Sequence, residues 1–281
     1  MLLAQALLHA ISEAPDMSGG TDEAVQHIEK LLEQCPQVTG GAVDMLQAWC
    51  EDPAKVKKGM TLLKQLIVQC PMIRDKTLEV LLSFTHHAEA YVREPAVRLT
   101  TNSLFEPEGA DSSKGSDSAA KTPSECGRVC TDIIRRYASA CFLTLKQGEE
   151  GETDGTYTFQ PLPEGGPTEE DAKQRMELYL ALCTKDPSLL QRSLDVFVQS
   201  NTPTKRMINL LSARGVWAAI GGESTELQKL LSTFPVPNGF PYIQAMLSKL
   251  SQGTAPDSLV KTVKRVYAER AEVNKDVRLL T

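Results

Sequence analysis

Apolar residues recur along this chain at i, i+3 and i+4, the spacing that lines them up on one face of an α-helix. Between Pro71 and Leu104 the recurrence makes two short runs. Leu78, Leu81 and Leu82 lie on a helix beginning near Ile73, and Val92, Ala96, Leu99 and Leu104 follow after a polar turn around His87 and Glu89. Each stripe needs an apolar partner, and the nearest available is the other one. Pro95 reads as belonging to the first turn of the second helix, where a missing N–H has no intrahelical partner.

The same paired unit returns on either side. Ile28, Leu31 and Leu32 lead into Gln34-Cys35-Pro36, as Leu63, Leu66 and Ile67 lead into Gln69-Cys70-Pro71, so Pro36 and Pro71 stand 35 residues apart. That interval lies within the range of paired-helix repeats. Between the two prolines, Val43, Leu46 and Trp49 predict a first helix. Val56, Met60, Leu63 and Ile67 predict a second, with Asp52-Pro53 as its N-terminal cap. Leu2 to Ser12 and Thr21 to Glu33 predict a further pair upstream. The first of these helices lacks a polar cap, as expected of a chain that begins inside a longer array.

Downstream, a long helix is expected from about Ser124 to Lys146, with Val129, Ile133, Tyr137, Ala140 and Leu143/Thr144 on its buried side. Thr168-Glu169-Glu170-Asp171 supplies a cap and an acidic first turn to a helix carrying Met176, Tyr179, Leu180 and Cys183. Pro187 opens a helix with Leu190, Leu194, Phe197 and Val198, and Pro203 opens one with Met207, Leu210 and Leu211. Leu227, Leu230 and Leu231 lead to Phe234-Pro235, followed by Tyr242, Ile243, Met246, Leu247 and Leu250. A last helix starts at Pro256 or Asp257 and carries Leu259, Val263 and Val266 on a stripe expected to lie uncovered. The pattern thus predicts an all-α, HEAT/ARM-like helical-repeat solenoid.

Two polar stretches interrupt it. Residues 106–127, rich in Ser, Gly, Asp and Lys, cannot bury enough apolar surface to offset chain entropy and read as a disordered linker. A second, flexible loop is expected over residues 148–167, with Phe159 docking on the body and Thr156 to Phe159 too isolated to make a stable strand. The domain organisation that follows is residues 1–105 as HEAT-like repeats, 106–127 as the linker and 128–281 as a second set of helical repeats. Ser112, Ser116 and Thr122 in the linker are candidate phosphorylation sites, of a kind that solvated linkers also contain without modification.

Composition narrows the function more than the fold. Aromatic residues make up 5% and hydrophobic residues 41%, with Leu predominant, as suits helices packed on helices. The net charge of −6 argues against a surface built to wrap a phosphate backbone. The absence of long apolar runs or a signal-peptide pattern leads us to expect a soluble, intracellular chain. Seven cysteines, an odd number mostly at apolar helical positions, fit reduced thiols. Cys126-x3-Cys130 lacks the second close pair that a zinc site needs, and His86-His87 point about 100° apart on a helix and cannot converge on one ion. Glu169/Glu170/Asp171 and Glu149/Glu150 are accounted for by a helix N-terminus and a solvated loop. No P-loop, nucleophile elbow or zincin motif is present. No catalytic, cofactor or metal residues are therefore expected. Lys261, Lys264, Arg265 and Arg270 give the last helix a basic run, the basis of an alternative reading as an RNA-binding solenoid.

Val92-Arg93-x-x-Ala96 matches the core of HEAT repeats. The aspartate that HEAT units often carry five residues before the valine, to pair with such an arginine, is His87 here. Several further motifs occur in a shared order. They include Trp49-Cys50-Glu51-Asp52, Gly59-Met60-Thr61-Leu62-Leu63 and Leu178-Tyr179-Leu180-Ala181-Leu182. Asp195-x7-Pro203-x-Lys205-Arg206, Phe234-Pro235, and the run from Pro256 through Lys264, Val266-Tyr267 and Arg270 to Asp276-Val277-Arg278 complete the set. In these the chain resembles the C-terminal region of the symplekin/Pta family, over nearly its whole length apart from the polar stretches. The family's N-terminal HEAT domain has no counterpart, and its C-terminal region is expected to continue past Arg278.

The resemblance implies a nuclear, non-catalytic scaffold of messenger RNA 3'-end cleavage and polyadenylation. Such a scaffold would contact the metallo-β-lactamase endonuclease subunit of the cleavage and polyadenylation specificity factor and its inactive relative, with cleavage stimulation factor as a further partner. The segment from Thr168 onward would form the docking platform, and no individual partner-binding residue follows. A generic HEAT adaptor of nuclear transport or of a phosphatase is the remaining alternative.

Overall fold

A computed structural model of the chain describes residues 40–107, 125–146, 156–252 and 257–273. The helix pair expected upstream of Pro36, most of the linker, and Glu149 and Glu150 fall outside the described residues. Within them the secondary structure is entirely helical, so the protein is all-α. None of the described helices is long and apolar enough to cross a membrane. The chain divides into two compact units, one comprising residues 1–106 and 111–134, the other 107–110 and 135–281.

In the first unit, α1 (Gly40–Glu51) buries Val43, Leu46, Trp49 and Cys50 against α2 (Val56–Gln69), which buries Val56, Met60, Leu63 and Ile67. Gly59 permits this contact: a Cβ there would stand 2.7 Å from Cys50 Sγ and 3.1 Å from the Cys50 backbone nitrogen. Asp52 acts slightly earlier than a simple cap. Its Oδ1 accepts from the Ala54 N–H at 2.9 Å and its carbonyl from the Val56 N–H at 2.9 Å, closing a turn before the helix begins at Val56.

A short 3-10 turn, Pro71–Ile73, leads into α3 (Arg74–Phe84), whose Leu78, Leu81 and Leu82 are fully buried. The next helix, α4 (Ala90–Leu99), closes on α3 and also packs on α2. The placing of Pro95 is corrected here. It sits inside α4 rather than in its first turn, so the carbonyl one turn back cannot receive its usual N–H. The chain then widens into a π turn, Thr100–Leu104, with the Phe105 N–H bonding to the Thr100 carbonyl at 3.0 Å.

The helix α5 (Glu125–Leu143) is already formed at Glu125, so the linker's far edge precedes residue 127. Its buried track is Cys130, Ile134, Tyr137, Ala138, Cys141 and Phe142: Tyr137 is buried as expected, the rest of the track lies one residue round from the expected one, and Val129 is 39% exposed. Val129-Cys130, Ile133-Ile134 and Ala140-Cys141 are adjacent apolar pairs, so either track satisfies the helical spacing and packing selects between them. In the first unit, Thr131 Oγ1 ties α5 back by accepting the Glu106 N–H at 2.9 Å.

In the second unit, residues 156–167 carry no helix or strand. Tyr157 and Phe159 meet the edge of the Tyr137 ring at centroid distances of 5.0 and 5.3 Å, in accord with the expected docking of Phe159. Arg175 donates to the Gln160 carbonyl and Asn201 Nδ2 to the Pro167 carbonyl, pinning the rest of the segment. Thr168 and Asp171 then form a capping box at the head of α6 (Glu169–Cys183). A 3-10 turn at Pro187–Leu189 precedes α7 (Leu190–Gln199), which buries Val196 rather than Val198.

Asn201 caps α8 (Thr202–Leu211), in which Thr204, Met207 and Ile208 are buried while Leu210, expected in the core, is 43% exposed. A π turn, Ser212–Val216, runs into α9 (Trp217–Ile220), which Gly221 ends with φ of +71°. Three helices follow: α10 (Thr225–Thr233), α11 (Phe240–Leu250) and α12 (Asp257–Val273). They pack in two rows, α6 on α8 and α8 on α11, beside α7 on α10 and α10 on α12. The expectation that the α12 stripe lies uncovered is overturned. Leu259 and Val266 are 3% and 2% exposed, because α10 lies against this helix.

Candidate functional site

The residues that the sequence singled out fall mostly into structural roles. Cys126 and Cys130 bring their Sγ atoms to 4.0 Å on one face of α5, and burial, with Cys126 beside it, pushes the Cys130 thiol up to about 12. Among the described residues no group of three or more His, Cys, Asp or Glu could hold a metal ion. His86 and His87 lie in the turn after α3. There His87 Nδ1 accepts the Glu89 N–H at 3.1 Å, while its carbonyl and that of Ala88 accept from Arg93 Nη1 at 2.7 and 2.8 Å. The arginine of the HEAT-like motif is thus 1% exposed and bonded to backbone carbonyls just before its own helix.

The acidic cluster is likewise spent on helix geometry. Asp171 Oδ2 accepts the Thr168 N–H at 3.0 Å and its hydroxyl at 2.6 Å, and these bonds hold the Asp171 carboxyl below the usual carboxylate range. Glu169 meets Arg206 at 2.7 Å at the surface. Lys261, Lys264 and Arg265 are all exposed on α12, with Arg265 3.9 Å from Glu269. Ser112, Ser116 and Thr122 lie outside the described residues, as does the Arg270 side chain.

A feature that the linear pattern did not single out lies in the second unit, where α5, α6 and α7 frame a cleft of about 580 Å³. Its floor is apolar, made by Ala140 and Leu143 of α5, Leu189 of the 3-10 turn and Tyr179 of α6. Tyr179 is fixed rigidly: its ring stacks on Phe142 at 4.4 Å and 10°, and its hydroxyl donates to the Leu189 carbonyl at 2.8 Å. Burial holds that hydroxyl's pKa well above the phenol range, so it remains a neutral donor.

The edges of the cleft carry Arg135 and Arg136 from α5, and Arg192 and Asp195 from α7. Asp186, which caps the 3-10 turn by accepting the Ser188 N–H at 3.1 Å, uses its other oxygen to receive Arg135 Nη2 at 3.1 Å. One guanidinium is therefore set in place by the same carboxylate that starts the neighbouring turn. Gln191 Nε2 donates to Asp195 Oδ1 at 3.2 Å, steadying that carboxylate one turn along α7. Arg136 and Arg192 are exposed. The lining thus sets Arg135, Arg136, Arg192 and Asp195 around an apolar floor, with Asp186 paired to Arg135.

Arg135-Arg136 and Arg192 are separated by more than fifty residues and belong to no motif, so the linear pattern left them as ordinary surface charge. The readable signal was the Asp186-Pro187-Ser188 cap, which gives Asp186 a fixed direction. No family model matches the chain, and no solved structure matches it. The fold and the cleft define an all-α protein with a preformed, partly cationic recess.

Proposed function

We propose that the chain is a non-catalytic helical-repeat scaffold of the nuclear pre-mRNA cleavage and polyadenylation machinery. In this reading it holds the metallo-β-lactamase endonuclease subunit and its inactive relative, with cleavage stimulation factor as a further partner. The observation that carries the scaffold reading is the packing of the second unit in two rows of helices, α6–α8–α11 beside α7–α10–α12. Such rows are what stacked helical repeats produce, each pair covering the apolar face of the next, and they leave extended surfaces available to partners. The symplekin-like order of motifs from Trp49-Cys50-Glu51-Asp52 to Asp276-Val277-Arg278 supports the particular machinery. The test is capture: the full chain, immobilised, should retain the endonuclease subunit and its inactive relative expressed together. Failure to retain either one would remove the assignment to this machinery.

A second reading, RNA binding, is favoured by one observation, the exposure of Lys261, Lys264 and Arg265 along α12. It requires that oligoribonucleotide bind at physiological salt and that changing all three to alanine weaken binding and flatten its salt dependence.

A further inference from the structure

In the second unit the chain lays a short stretch of itself across its own helices in the manner of a bound peptide. Thr156, Thr158 and Gln160 are exposed while Tyr157 and Phe159 are half-buried, an alternation with the period of an extended chain. Both half-buried rings meet one receiving ring. Tyr137 of α5, 5% exposed, lies 5.0 Å from Tyr157 at 76° and 5.3 Å from Phe159 at 66°. The next carbonyl along, that of Gln160, accepts from Arg175 of α6. We propose that this face of α5 and α6 is a docking surface for an extended segment of a partner protein carrying aromatic residues at i and i+2. Residues 157–160 fill it in cis until such a segment replaces them.

The receiving groups are held by the helices and not by the strap that covers them. Tyr137 stands on α5, and Arg175 Nη1 donates to Thr144 Oγ1 at 2.7 Å, so the guanidinium keeps its direction when the Gln160 carbonyl leaves. The resident segment, by contrast, belongs to no helix or strand. It presents two aromatic edges on one side and a backbone carbonyl one residue further on. Any extended chain with the same spacing reproduces those contacts, so the class of occupant is read from the segment already seated there and not from charge. What keeps the resident in place is proximity: a segment tethered beside its site has an effective concentration on the order of millimolar. A partner displaces it by adding contacts elsewhere, as a subunit of a larger assembly does.

The inference rests on the scaffold reading only in taking the occupant from a partner protein. Capture of the endonuclease pair tests that reading and peptide binding tests the surface, so either can fail alone. The probe is a fluorescein-labelled peptide of the chain's own residues 156–163, followed by anisotropy on the full chain. It should bind the variant Tyr157→Ala with Phe159→Ala at least about tenfold more tightly than the unaltered chain, in which the tethered strap competes. Phe159→Ala alone removes one ring and should give an intermediate gain, which serves as the test if the double variant loses its cooperative melting transition. Adding Arg175→Gln to the strap variant should weaken the peptide several-fold by removing the donor to its carbonyl. Exchanging the two aromatic residues of the peptide should leave binding within about twofold, whereas making them adjacent turns one ring away and should cost at least about fivefold. Equal binding by the unaltered chain and the strap variants, or indifference to ring spacing or to Arg175→Gln in a folded protein, would overturn the proposal. So would a strap exchanged between two copies, seen as a dimer of the unaltered chain that becomes monomeric in the double variant.

Discussion

Arg93 and Asp171 show how single charges are used here to shape the backbone. A guanidinium that is 1% exposed is stable only when its N–H groups are bonded, and the carbonyls of His87 and Ala88 serve that need. The arginine thereby fixes the turn that sets α4 against α3. Asp171 works at a helix start, where its charge also faces unpaired N–H groups. Because the Thr168 bonds lower its pKa in the folded protein, Asp171 contributes stability above the unfolded carboxylate pKa, and loses it as the pH falls through the folded value. Asp171→Asn should therefore cost about 0.5–1 kcal/mol at neutral pH. That difference should shrink towards zero as acid protonates the native carboxyl. Urea titrations across the acidic range check this, and a difference that stayed constant with pH would count against the charge.

At the scale of the element, close approach and coverage decide the outcome. The α1–α2 contact depends on Gly59, since a methyl group there meets the Cys50 backbone as well as its sulfur. Gly59→Ala, although it favours a helix intrinsically, should lower stability by about 1–3 kcal/mol through overpacking. Chemical denaturation would read the sign directly, and a stabilised variant would mean that the helices can part at little cost. The last helix offers a paired comparison. Leu259, 3% exposed against α10, should cost about 2–4 kcal/mol when cut to alanine, whereas neighbouring Val260, 37% exposed, should cost under about 0.5 kcal/mol. Equal losses from the two would mean that α12 does not pack in this register.

Two compact units, each with its own buried set, describe the molecule as a whole. The first is centred on α2, which meets α1, α3 and α4, and the second on its two rows of helices. Separate cores can unfold separately. Scanning calorimetry should accordingly give a calorimetric enthalpy larger than the van't Hoff enthalpy. Equal enthalpies, with coincident transitions by two probes, would show instead a single cooperative block.

The features that were legible in the sequence are those whose cause is local. The i, i+3, i+4 recurrence located α1, α2 and α3 with their buried Val43, Leu46, Trp49, Leu78 and Leu81. Thr168 with Asp171 announced the capping box, because a hydroxyl and a carboxylate three residues apart meet the same unpaired N–H groups. Pro187 and Pro203 marked helix starts because proline has no N–H to lose there. Where two apolar tracks ran side by side, as in α5 and α8, periodicity was satisfied by either, and the neighbouring helices chose Cys130 over Val129 and Ile208 over Leu210. Pro95 lies within α4 because tertiary packing outweighs the missing hydrogen bond. The coverage of Leu259 and the placing of Arg136 and Arg192 at one cleft were decided by tertiary structure alone. Both join residues distant along the chain, and burial and charge act through space, where the order of residues has no say.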